Sequence, residues 1–367
     1  MRVVWYSCEQ VGRQLLGAYA MTSLKPHLAV SQGDTPYVNK SGTWYGITTT
    51  AHAVGDSVAD VFKHHEITQA TPGHIHLHNN VQYNWYIADD HEWGGNNWDH
   101  TVTNANGQTG IGASDQADVD AAFWVAMQAY QQQVAEWYDN PENTDGDAAP
   151  EKPSNAESGT SVSQYPVTYF RQRFNLNGVI DSEGEIEFFV LDCISHRDPL
   201  QTRATTDLTM LGATQLAWFK AHLAASTATW KIILSSKATY WPGTGGNEDS
   251  WAYYATERDD IFSHIASNSI TGVLWCCGDK HYPHVISTDT HAAVVACPIS
   301  VDTNTALVAG TEDEVVWAKN YQVFGYLDIS ESQINVSLRE ALTGNVVWKG
   351  IIEAGSNVIT YETNKIS

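Results

Sequence analysis

A strand, a helix and a second strand follow one another within the first 31 residues. Arg2–Ser7 and His27–Ser31 read as strands, and Gly12–Met21 between them as a short helix. Two strands joined through a helix lie parallel with a right-handed crossover, which commits the chain to an α/β fold from its first segment. Gln82–Ala88 reads as a third strand. Ile186–Leu191 and Trp230–Ser235 read as further strands and Gly272–Cys277 as a continuous apolar one, of the kind a strand buried on both faces requires, and they alternate with helical patterns at Ala213–Ala225 and Arg258–Ser267. The clearest helix is Ala117–Tyr138, where Val119, Phe123, Ala126, Met127, Tyr130, Val134 and Trp137 recur at helical spacing. Ala292–Cys297, Tyr321–Ile329, Gln333–Arg339 and Val346–Ile352 read as β structure of a second, more antiparallel half, the last two flanking a turn at Thr343-Gly344-Asn345. With no internal repeat and no sharp change of composition, one domain over residues 1–367 with two sheets is the simplest account. Its one long excursion is Asp139–Pro166, a polar stretch expected to be a surface loop. Asp145-Gly146-Asp147 within it misses the register of a calcium-binding loop, with Pro141 at the first ligand position and Lys152 at the last.

Charge excludes several partners. The chain carries 19 Lys and Arg against 42 Asp and Glu, a formal net charge of −23. No nucleic-acid-binding patch is expected from such a balance, because phosphate backbones are held by basic surfaces. Its apolar runs fall far short of the roughly 20 residues a membrane span needs. Met1–Cys8 already reads as a strand and lacks the basic and apolar regions of a signal peptide, so the expectation is a protein that works where it is made or one whose leader has been removed. The five cysteines, Cys8, Cys193, Cys276, Cys277 and Cys297, are odd in number and widely spaced, which argues against a disulfide framework.

Chemistry-bearing residues gather just beyond strand ends, where α/β sheets usually build their sites. Cys8 follows the first strand, Asp34 and Tyr37 the second, Asp89-Asp90-His91-Glu92 and Asn97 the third, and Asp279 and His281 the strand Gly272–Cys277. If those strands are neighbours, oxygen, nitrogen and thiolate ligands converge. Such a set suits two unlike ions, one that accepts Tyr, His and Cys and a harder one that prefers oxygen. Two-metal centres commonly hydrolyse phosphate esters, and a net-negative protein needs cations to attract an anionic ester. No Ser/His/Asp nucleophile arrangement competes. Asp90 and His91 are consecutive on a tight turn, so their side chains are expected to diverge, one to metal and one to substrate. His74, His76 and His78 alternate as on a strand, and read as a polar strand face rather than a zinc site.

The residues resemble the PhoD-type alkaline phosphatases of the calcineurin-like metallophosphatase superfamily. The similar blocks are Ser7-Cys8, Gly33-Asp34-Thr35-Pro36-Tyr37, Asp89-Asp90-His91-Glu92 with Asn96-Asn97, Leu191–Arg197, Leu211–Trp218, Asp249-Ser250-Trp251, Glu257-Arg258 and Gly278–His281, in order along the chain. The resemblance implies a four-layer α/β/β/α sandwich with two mixed β-sheets and a metal site at the strand ends. It implies a ferric ion held by Cys8, Asp34, Tyr37 and His281, with Asp34 bridging to a calcium that Asp90, Asn97 and Asp279 help to hold, Asp89 being an alternative to Asp90. His91 takes the place of the histidine that contacts the phosphate and assists the leaving group, and Arg197 that of a phosphate contact. The run around Arg197 departs from the family, with Cys193 or Ser195 where an arginine is expected. The implied activity is metal-dependent hydrolysis of a phosphate-ester substrate, monoester or diester, by direct attack of metal-bound hydroxide without a phosphoenzyme. The family's usual N-terminal accessory domain and twin-arginine export signal have no counterpart in this chain, so the compartment is not carried over. A reading of another class is a non-catalytic binding or structural protein, such as a viral or surface component, on the same fold.

Overall fold

A computed structural model describes residues 1–9, 15, 17–95, 116–137, 168–198, 208–240, 249–303 and 315–361. Strand β1 (Arg2–Tyr6) sets the architecture. Val3 and Trp5 face one side of it, Val4 and Tyr6 the other, and all four are buried, so it needs cover on both faces. β2 (Leu28–Ser31) lies parallel beside β1, and β5 (Tyr83–Tyr86) parallel beside β2, as the strand–helix–strand opening predicts. α1 (Gly17–Ser23) lies between β1 and β2 in the chain. The hairpin β3 (Gly42–Trp44) and β4 (Ile47–Thr49), then α2 (Val58–Gln69) and α3 (Pro72–Asn80), lie between β2 and β5. The one-turn helix α4 (Asp90–Trp93) and the long α5 (Gln116–Trp137) follow.

A second sheet is built from β6 (Phe170–Phe174), β7 (Ile186–Leu191), β8 (Trp230–Ser235), β9 (Val273–Cys277), β10 (His284–Ser287), β11 (Ala292–Val295) and β12 (Val315–Ala318), in the order β12-β10-β11-β9-β8-β7-β6. α6 (Gly212–Ala225) joins β7 to β8, and α7 (Ala255–Ser267) joins β8 to β9, with all three strands parallel. The last strands, β13 (Val323–Ile329), β14 (Gln333–Glu340) and β15 (Val346–Glu353), do not form a half of their own. They complete the first sheet, in the order β15-β14-β13-β1-β2-β5, with β13 antiparallel to β1. β1 lies mid-sheet, and its side away from β2 is filled by chain more than 300 residues distant. Strand periodicity reports which residues are extended but carries no information on that pairing.

The layers follow from which face each side chain takes. Trp5, Val30 and Trp85 of the first sheet meet Phe188, Ile232, Leu234 and Leu274 of the second in the central core. Phe189, Ile233 and Trp275, on the opposite face of the second sheet, pack under Phe219 and Leu223 of α6 and Ile261 and Ile265 of α7. Val4, Tyr6 and Ala29 pack under Ala18 and Met21 of α1 and Leu77 of α3. The result is a mixed α/β sandwich of four layers with two mixed sheets. Full burial of a residue such as Phe188 contributes about 1.5–3 kcal/mol, so the doubly covered strands anchor the fold. No helix among the described residues is long and apolar enough to cross a membrane.

One local expectation is reversed. His74, His76 and His78 lie on α3, not on a strand. Thr71 caps this helix by accepting a hydrogen bond from the His74 N–H, and Pro72 sits in its first turn, where a missing N–H costs nothing. On a helix, residues four apart share a face. His74 and His78 accordingly both reach the Tyr86 hydroxyl, while His76 turns to Thr22. The polar loop Asp139–Pro166 lies outside the described residues.

Candidate metal centre

Two loops of the first sheet meet at the strand ends. The Cys8 N–H donates to the Gly33 carbonyl (3.2 Å) and the Glu9 N–H to the Asp34 carbonyl (2.9 Å), which zips the segments after β1 and β2 together. Glu92 ties in the segment after β5. Its carboxylate accepts from the backbone N–H groups of Asp34 (3.0 Å), Thr35 (2.8 Å) and Asp89 (2.7 Å). Burial pushes Glu92 up to about 7 even so. Gly33 abuts Asp89 so closely that a Cβ there would lie 2.4 Å from the Asp89 Cβ.

The second sheet enters through the segment after β9. The Asp279 N–H donates to Ser7 Oγ (3.2 Å), and the Cys8 thiol donates to the Asp279 carbonyl (3.3 Å). The Ser7-Cys8 pair thus fastens one sheet to the other at the site. Four site residues, Cys8 (φ 59°), Asp34 (φ 57°), Asp279 (φ 74°) and His281 (φ 52°), adopt left-handed backbone, and they are four of the seven non-glycine residues that do so among those described. Each such residue costs on the order of 1–3 kcal/mol and persists only where its surroundings hold it, which is a mark of functional sites.

Cys8, Asp34 and His281 offer ligand atoms that all lie within 4.8 Å of one another. The Tyr37 hydroxyl donates to Asp34 Oδ2 (3.2 Å) and lies 3.3 Å from His281 Nε2. The four residues expected to share the first ion are therefore together. Asp34, Asp90 and His91 form a second such group, and Asp34, Asp89, Asp90 and Asp279 a third, with Asp34 common to all three. Asp90 and His91, consecutive on α4, each bring a ligand atom within 4.8 Å of one on Asp34. The His91 ring packs on Tyr37 with centroids 4.1 Å apart. Asn97 lies outside the described residues. Arg197 lies in the loop after β7, buried, with its guanidinium donating to Asp249. Among the described candidate ligands, Asp279 and His281 are half-buried and the others buried.

Burial dominates the electrostatics. It raises the Asp34 pKa well above the usual carboxylate range, with Asp90 and Asp89 adding to the shift, and it raises Cys8 and Tyr37 well above their ordinary values. It lowers His91, against the pull of Asp90. Asp34 Oδ1 and His91 Nδ1 are buried with no hydrogen-bond partner among the described residues. A cation is what such a set lacks, and a thiol, a phenol, an imidazole and a carboxylate fit an ion that accepts mixed donors.

Lys237 went unnoticed in the sequence. It follows β8, and its fully buried ammonium lies 2.6 Å from Asp89 Oδ1, 2.5 Å from Asp249 Oδ2, 3.1 Å from Asp279 Oδ1 and 3.5 Å from Asp90 Oδ1. Burial alone would discharge it, but Asp249, Asp279 and Asp89 outweigh burial and hold its pKa well above the ordinary value. Burial would raise Asp249 too, yet Lys237 and then Arg197 hold it far below the usual range. The available signal was the position itself, two residues beyond the end of β8.

The family model described as PhoD-like phosphatase matches residues 180–329, a span that holds Arg197, Lys237, Asp249, Asp279 and His281. No curated protein matches the sequence. The fold matches a solved structure of PhoD with a TM-score of 0.69 at 16% identity, covering 99% of this chain and 71% of that one. It also matches a purple acid phosphatase from yellow lupin (Lupinus luteus) seeds with a TM-score of 0.54 at 12% identity, covering 96% of this chain and 53% of that one. At these identities the likeness to solved structures establishes the fold, a metallophosphatase fold, and the PhoD-like phosphatase model is matched from β7 to β13.

Proposed function

We propose that this chain, which carries a PhoD-like phosphatase domain, is a metal-dependent phosphoesterase. The observation that carries the reading is the meeting of Cys8, Asp34, Tyr37 and His281, drawn from both sheets, around one point beside His91. These four would hold the metal, a ferric ion by the resemblance described above. When bound, such an ion lowers the pKa of water and draws charge from a phosphoryl oxygen.

The chain's own residues supply the rest. Asp34 is the carboxylate shared by all three ligand groups and orders them. Tyr37 fixes Asp34 through its hydroxyl and the His91 ring by packing against it. His91 Nδ1, without a hydrogen-bond partner among the described residues, would donate to an ester oxygen as negative charge builds on the leaving group. Burial favours the neutral imidazole and neighbouring Asp90 the charged one, a balance that suits an acid that must give up its proton. The calcium half of the expected pair would rest on Asp90, Asp279 and Asn97, and Lys237 already stands among the first two.

The test is hydrolysis of p-nitrophenyl phosphate and of its bis-ester by iron-loaded protein, and again after chelation. Turnover of either ester that is lost on chelation and restored by metal supports the reading. Folded, metal-loaded protein that turns over neither ester sinks it.

A further inference from the structure

We infer that the Lys237 ammonium fills the second cation position of this centre, so that the chain takes up one metal ion, on the Cys8 side, rather than two. The inference rests on the metal-centre reading above but not on hydrolysis.

Four carboxylates from three segments, the adjacent Asp89 and Asp90, Asp249 and Asp279, aim an oxygen at one point, and Lys237 Nζ is at that point. Asp89 Oδ1 and Asp249 Oδ2 lie at 2.6 and 2.5 Å, and Asp279 Oδ1 and Asp90 Oδ1 at 3.1 and 3.5 Å. Calcium asks for six to eight oxygens at 2.3–2.6 Å, and one oxygen of each of these four carboxylates already faces the ammonium. An ion bound to Asp89, Asp90 or Asp279 would share a carboxylate with Lys237 and face its charge across a poorly screened interior.

The lysine is built in. Its side chain is fully buried. Its carbonyl accepts from Ser235 Oγ (2.8 Å), its N–H donates back to the same oxygen (3.3 Å), and Trp251 Nε1 donates to that oxygen as well (3.1 Å). Asp249 meanwhile holds both Lys237 and Arg197 and belongs to none of the three ligand groups that could take an ion. It belongs to the lysine. On the other side of the cluster, Asp34 Oδ1 has no hydrogen-bond partner among the described residues, as Asp89 Oδ1 has none beyond its ion pair with Lys237, but Cys8 and His281 stand within 4.8 Å of the Asp34 carboxylate.

The test counts ions. Wild-type protein and Lys237→Ser are loaded with iron, exposed to millimolar calcium, desalted and analysed for both elements, and calcium binding is followed by calorimetry. Expected are one iron and no calcium in wild type, and one iron with one calcium in Lys237→Ser, whose unfolding temperature rises with calcium while that of wild type does not. One calcium per wild-type chain overturns the inference, as does a folded Lys237→Ser chain that binds none. If Lys237→Ser folds only with calcium present, the ion has replaced the ammonium and the inference stands. If it folds under neither condition, Lys237→Met, of similar length and uncharged, is compared in the same way. A wild-type chain that takes up no iron would sink the phosphoesterase reading while the calcium comparison still decides the role of Lys237.

Discussion

Gly33→Ala is the sharpest test of how tightly the site is drawn together, because the structure supplies its own control. Gly33 has φ +87° and Gly55 has φ +92°, so alanine is strained at both, by about 1–2 kcal/mol. Around Gly55 an added Cβ meets nothing within 4 Å, whereas at Gly33 it would lie 2.4 Å from the Asp89 Cβ and 2.9 Å from the Asp89 N. Those atoms are anchored. The Asp89 N–H is held by Glu92, which also holds Asp34 and Thr35, so the clash can be relieved only by parting the two loops. Forcing a methyl into a packed interior adds about 1–3 kcal/mol. Gly55→Ala should therefore lose about 1–2 kcal/mol in urea unfolding and Gly33→Ala about 2–5, with unchanged denaturant slopes. Moving the groups that position ligands weakens metal binding by about 10–100-fold, so metal affinity should fall in Gly33→Ala and hold in Gly55→Ala. Equal losses of stability in the two variants, with equal metal affinity, would refute the argument that Gly33 lets Asp34 and Asp89 share a centre.

Three further outcomes are expected. His91→Ala should cut turnover by about 10²–10⁴-fold, more for poor leaving groups than for nitrophenolate, with metal content unchanged; metal loss would instead make His91 a ligand with Asp34 and Asp90. Iron-loaded protein should be coloured through its thiolate and phenolate, and a visible band that ignores both Cys8→Ser and Tyr37→Phe would remove those residues from the iron. Burial lowers His64 and His291 from 6.5 to about 4 and His65 to about 3, so the unfolded chain binds more protons than the fold does below about pH 6.5. Their contribution is complete above that pH and is lost as pH falls through 4. Each depression to about 4 corresponds to about 3 kcal/mol, so the urea midpoint should drop between pH 7 and pH 4.5 and drop less in His65→Phe.

What the sequence revealed depended on how far the relevant contact reached. β7 and β8 could be placed to the residue, and α6 and α7 nearly so, because a covered strand or a helix face is written in its own few residues. α3 was misread because three histidines at alternate positions outweighed the Thr71-Pro72 start signal, although the cap is the stronger physical cue. β13 was found as a strand but not as the partner of β1, since that pairing joins Arg2 to Asp328. Cys8, Asp34, Tyr37, Asp90, His91, Asp279 and His281 are brought together as strand-end reasoning suggested, and Asn97 lies outside the described residues. Lys237 stood at the same kind of strand end. It was passed over because a lysine is ordinarily a surface residue, and only the fold shows four acids waiting for it.

The left-handed backbone at Cys8, Asp34, Asp279 and His281 sets stability and chemistry against each other at four peptide units. Glycine would relax any of them, and in each case it would delete a side chain of the candidate metal centre. Four such relaxations amount to several kcal/mol, a large share of the roughly 5–15 kcal/mol by which a folded domain exceeds its unfolded state. Selection for folding alone would thus erode these positions first and leave the doubly covered strands untouched. A descendant of this chain that had lost its use for a metal should be recognisable by glycine or asparagine at these four places, on a sandwich no less stable than before.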